Sequence, residues 1–306
     1  MSTSGPSGVI HDIGYRRFTG QRRSPGAVAG SLFRTALAHC FGIGRTGKAK
    51  IVPWVVTIIM FVPALVLAGI IIQLKRMSLS DRADLFGPLS TYFGYPFWTQ
   101  LLLTVFVAAQ APVLFARDLR YRTIVLYFAR PVSRTTLILV RLAALATAVF
   151  AIVAVPLTIW WGVAISSDLP VGQHTKAYLA ALAGMAILAV MLAAISAMVS
   201  ALTTRTGLSV TGVIVTLMIT SGMVTALLGI AYENVNETLA FVAAALNPFT
   251  AVAALVSGLF DQPTPIELLP RVTTPGWTLF FVVVAAAWVL VPTAILLART
   301  RKAASL

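Results

Sequence analysis

The side chains able to support chemistry in this sequence are few, and most of them are arginines. Residues 116–134 carry Arg117, Arg120, Arg122, Arg130 and Arg134 against a single acid, Asp118. Guanidinium groups at this density grip carboxylates and phosphates through paired hydrogen bonds, so the segment suits docking rather than bond cleavage. A second candidate, Gly42-Ile-Gly-Arg-Thr-Gly-Lys48, fits the G-x4-G-K part of a phosphate-binding loop. Ala49 stands where a hydroxyl would hold magnesium, no strand precedes the run, and the apolar stretch from Ile51 leaves no α/β domain to complete it. These glycines are expected to end a helix and turn the chain. Cys40 is the only cysteine, which excludes a disulfide framework and a CxxC metal site. His11, His39 and His174 are too scattered to suggest a ligand cluster.

The elements that must position these residues are read from composition. Of 306 residues, 58% are apolar and 10% charged, and the mean hydropathy is +0.91. A soluble domain carries about 25% charged residues, so lipid is the expected solvent and the fold class is an all-α polytopic membrane protein. Six stretches meet the ~20-residue length of a crossing without an internal charge: 51–74, 97–115, 142–165, 178–202, 208–231 and 277–297. Residues 1–50 form an N-terminal segment and 51–306 the six-helix transmembrane domain.

Orientation follows from the basic residues. The N-terminal segment, the 116–141 loop, Arg205 and the C-terminal tail hold 18 of the 23 Lys and Arg but two of the nine acids. By the positive-inside rule both termini are cytoplasmic, in a cell (plasma) membrane. The formal net charge of +14 thus marks a lipid-facing and partner-facing side, not a nucleic-acid surface. Trp98, Trp160, Trp161 and Trp277 fall at the expected outer ends, in the headgroup zone.

Two further elements complete the outline. Asn247-Pro248 divides the apolar run 238–260 into halves too short to cross. The run reads as an outer re-entrant helix pair between spans five and six, with a Pro-kinked full span as the alternative. Within 25–41, Val28, Leu32, Phe33, Ala36, Leu37, Cys40 and Phe41 recur at helical spacing, which predicts an amphipathic helix lying in the interface.

All six spans lack Asp, Glu, Lys, Arg and His. A proton- or ion-coupled carrier needs ionisable groups at depth, and an intramembrane hydrolase needs a nucleophile with a base or a metal pair. Neither class is expected. Ala189, Ala193, Ala197 and Ala201 form a small-residue row for close helix packing, expected to meet a helix of the same protein. Gln100, Thr104 and Gln110 on the second span, with Thr216 and Thr220 on the fifth, admit two readings: a polar pathway wall, or local hydrogen bonding within and between helices.

In order, the inner loop presents an acid (Asp118), a threonine (Thr123), then Arg130-Pro131-Val-Ser133-Arg134, with Arg141 entering the third span. This resembles the membrane subunits of ABC transporters of the type-2 permease family, in which an acid and Thr are followed by a similar Pro-x-Ser-Arg stretch and a Lys. Asp118 replaces the commoner Glu, and Arg122 stands where Gly often precedes the Thr. The resemblance implies a coupling helix at 116–134 that docks a separate ATPase subunit through Asp118, Arg120, Arg122, Thr123, Arg130, Pro131, Ser133 and Arg134. It also implies a second permease copy or paralogue, since one chain supplies half a pathway. ATP and Mg would act on the partner, with no cofactor and no enzymatic site in this chain. The function expected is that of a transporter subunit, an exporter; the alternative is a non-transporting scaffold or regulatory subunit whose basic loop recruits a soluble partner.

Overall fold

The computed structural model describes residues 23–77, 91–121, 133–167, 169–203 and 205–303. Helix α1 (Pro25–Cys40) starts where the Ser24 hydroxyl accepts the Ala27 amide at 3.3 Å and Pro25 pre-sets the first turn. It ends on Gly42 at φ +71°, whose amide donates to His39 while that of Ile43 donates to Ala38. These two bonds make a Schellman cap. A Cβ on Gly42 would lie 2.7 Å from the Ala49 carbonyl oxygen, so the chain can double back into α2 (Ile51–Arg76) only with glycine there.

The next segment is helical in pieces: α3 (Gly94–Trp98), α4 (Gln100–Ala111), a π turn at Pro112–Ala116, and α5 (Arg117–Arg120). Proline inside a helix lacks the N–H and crowds the carbonyl four residues back, and the wider π turn beginning at Pro112 accommodates it. The expected span 97–115 is therefore interrupted at Thr99 and changes to π geometry at Pro112, within one apolar helix Gln100–Ala116. Four long helices follow, α6 (Arg134–Ile165), α7 (Val171–Thr203), α8 (Thr206–Glu233) and, after two short ones, α11 (Pro275–Ala303). The short pair is α9 (Glu237–Ala244) and α10 (Pro248–Phe260), two helices separated at Asn247-Pro248 where the sequence divides the 238–260 run.

Among the described residues, five helices are long and apolar enough to cross a membrane: Gly47–Arg76, Arg134–Ile165, Val171–Thr203, Thr206–Glu233 and Pro275–Arg301, with mean hydropathy of 2.2 to 2.9. Helix α7 is the centre of the bundle, 61% of its most apolar window being buried against 22% for α2, α8 and α11. Ala189, Ala193, Ala197 and Ala201 are at most 1% exposed, so the small-residue row lies inside the fold. Gly184 on the same helix is required by contact, since a Cβ there would collide with Val256 and come within 2.8 Å of the Phe93 ring.

Polar contacts define two ends. At one, the Trp54 indole donates to Phe41 and Arg141 Nη1 donates to the Leu114 carbonyl at 2.7 Å. At the other, Lys75 Nζ donates to Ser166, the Tyr92 hydroxyl meets His174 Nδ1 at 3.0 Å, and Tyr92 stacks on Trp160 with centroids 4.4 Å apart. Residues 91–121 thus run from the aromatic end to the arginine-rich end. Trp160 is 2% exposed, packed inside this cluster by its stacking on Tyr92, while Trp161 stacks on Tyr178. Trp98 is half exposed.

Candidate functional site

The arginine-rich end gathers four pieces of chain: α1, the turn 42–50, the α4–α5 exit and the start of α6. The apolar face of α1 packs along α6 and against the π turn, burying Ala36 and Cys40 and half-burying Phe33 and Leu37. Helix α6 begins at Arg134, about two turns before the apolar run at 142, and supplies the surface that α1 covers.

A cleft of about 390 Å³ opens between these pieces, with Arg45, Arg117 and Arg141 on its walls beside Leu32, Ala36 and Val113. Arg45 Nη1 reaches the His39 carbonyl at 3.4 Å, and burial together with the neighbouring Arg117 charge lowers its pKa. Cys40 behind it is pushed up to about 12 by burial, with Arg45 acting weakly in the opposite sense. The Arg120 guanidinium sits 5.4 Å from the Tyr121 ring centroid, a cation–π distance.

Of the expected docking residues, Arg122, Thr123, Arg130 and Pro131 lie outside the described residues. Asp118 is in α5, one residue from Arg117; its side chain also lies outside the description. Arg120 is exposed. Ser133 caps α6, its hydroxyl accepting the Thr136 amide at 3.0 Å, and Arg134 is the first helical residue. The stems of the loop are therefore close: Arg141, two turns into α6, bonds the last turn of the α4 path.

The expected pathway residues fall mid-bundle. Gln100 Oε1 accepts from Ser221 on α8 at 3.2 Å, and Thr220 bonds back to the Thr216 carbonyl at 2.8 Å. Thr104 is fully buried, and neither its hydroxyl nor Gln110 Oε1 has a hydrogen-bond partner among the described residues. Sequence reasoning missed Arg45 and Arg117 as a pair. Arg45 was hidden inside a glycine motif judged for nucleotide binding, and only the fold back at Gly42 brings it to Arg117.

The fold defines a multi-pass helical membrane protein, on the strength of its five long apolar helices. No protein-family model and no curated protein matches this chain.

Proposed function

We propose that this chain is the transmembrane subunit of an ATP-driven ABC transporter, an exporter of the type-2 permease kind, with residues 116–134 as its coupling segment. The observation that carries this reading is the Arg141–Leu114 bond, which joins the two stems of that segment beneath α1. Force applied to the loop by a docked ATPase would reach α4, α6 and α1 together. The chain has no Asp, Glu, Lys, Arg or His within its apolar runs, so transport energy is assigned to the partner.

In this reading the broken path 94–120 is the sixth crossing. It spans about 40 Å at helical rise, and an even number of crossings leaves both termini on the arginine-rich, cytoplasmic side. Helices α9 and α10 are the re-entrant pair. The carbonyl of Ala245 near their tip accepts from the Trp288 indole at 3.0 Å, about 20 Å along α11, while Asp261 at the far end of α10 pairs with Arg271. Gln100, Thr104, Thr216 and Thr220 are the proposed pathway lining, completed by a second permease copy or paralogue in the plasma membrane.

The test is affinity purification of Asp118→Lys and Arg134→Glu variants. Both are expected to lose at least tenfold in recovered ATPase subunit while inserting normally. Unchanged recovery and ATP hydrolysis in both would overturn the coupling assignment, and a recovered partner without ATPase activity would favour the scaffold alternative.

A further inference from the structure

The cleft at the arginine-rich end has a composition that the coupling role does not use. Arg45 and Arg117 both line it, burial first and the Arg117 charge second disfavour the charged form of Arg45, and no carboxylate is among its described lining side chains. A partly buried guanidinium beside a second, exposed one costs free energy unless an anion joins them. The floor beneath them is a π turn, a helix irregularity that recurs at functional sites, and its Leu114 carbonyl is engaged by Arg141. Arg141 is thereby fixed on the wall, and Tyr121, 65% exposed, stands at the rim.

The surroundings are lipid-like on one side. The turn that carries Arg45 also exposes Ile43 at 52%, and the helix it leads into exposes Ile51 at 59% and Trp54 at 47%. The Trp54 indole donates to the backbone at Phe41, the usual arrangement of an interfacial tryptophan with one polar and one apolar edge. Inside the cleft, Leu32, Ala36 and Val113 give carbon surface next to the guanidiniums. A free phosphate would use the arginines and leave this surface wet; a phospholipid uses both. Basic pockets between membrane helices are suited to anionic headgroups.

We propose that this cleft binds the phosphate headgroup of an anionic phospholipid from the adjacent leaflet, with Arg45 and Arg117 gripping the phosphate and α1 lying over it. The lipid neutralises the arginine pair and holds α1 against α6. The site is independent of the transporter reading, because it needs only the cleft and a bilayer.

Native mass spectrometry of the full chain in detergent, with phosphatidylglycerol and phosphatidylcholine added in equal amounts, tests it. The wild type is expected to retain phosphatidylglycerol about tenfold over phosphatidylcholine, and Arg45→Gln/Arg117→Gln to fall to near parity. Lys48→Gln/Lys50→Gln removes the same charge from the neighbouring turn, outside the cleft lining, and is expected to keep the preference; Arg45→Lys/Arg117→Lys is expected to keep most of it. Equal loss in the Lys48/Lys50 variant would mean diffuse attraction and overturn the site. Displacement of the lipid by millimolar inorganic phosphate would assign the cleft to a soluble anion instead, and no preference in the wild type would remove it altogether. Size-exclusion profiles identify a misfolded variant, in which case the Arg→Lys pair against the Lys→Gln pair decides.

Discussion

Ser133 lies in the stretch that carries the family resemblance, yet its hydroxyl accepts the Thr136 amide and starts α6. Capping of this kind contributes about 1 kcal/mol. Ser133→Ala should therefore lower hydrogen-exchange protection in the first turn of α6 by about fivefold, and Ser133→Asp should restore it. Cys40 provides the pH test. Burial raises its thiol to about 12, so the reactive thiolate is scarce at pH 8 and grows as pH climbs toward that value. Iodoacetamide should label Cys40 at least tenfold more slowly than a cysteine placed at exposed Thr46, with the gap closing on denaturation; equal rates would contradict the buried placement. At this scale the sequence was informative about type and silent about neighbours. The polarity of Gln100 was legible, but its bond to Ser221 spans 121 positions and depends on the packing of α4 against α8.

Among the elements, local signals were read well and packing was not. Asn247-Pro248 divides the 238–260 run because the asparagine side chain accepts the Phe249 amide at 2.7 Å and proline suits the first turn of α10. Pro112 within 97–115 marks a milder event, a change from α to π geometry inside one continuing helix. Docking of α1 was not legible, since the face it covers belongs to α6, a hundred residues away. Gly184 makes the close approach of α7 to α10 testable. Gly184→Leu must displace Val256 and Phe93, an overpacking cost of about 1–3 kcal/mol, and should lower the thermal midpoint in detergent by several degrees. Gly69→Ala, with open space around the new methyl, should leave the midpoint unchanged or raise it. Gly42→Ala combines a positive φ with contact against Ala49, so it should loosen α1 and speed Cys40 labelling.

On the scale of the whole molecule, hydropathy and charge carried the membrane class and the expected orientation, while the ordering of one end as a basic platform needed the fold. Single cysteines in a Cys40→Ala background map that orientation. Val235→Cys, at an 88% exposed position, and Pro263→Cys should react with an impermeant thiol reagent on intact cells, as both flank the proposed re-entrant pair on its outer side. Thr46→Cys should react only after permeabilisation; the reverse pattern would invert the topology. The central claim, that this chain works as the membrane half of an ATP-driven pump, is tested most directly by purifying it from native membranes and identifying what comes with it. An ATPase in equal stoichiometry, bound to two permease chains per complex, is the predicted result; a complex without any ATPase would contradict it.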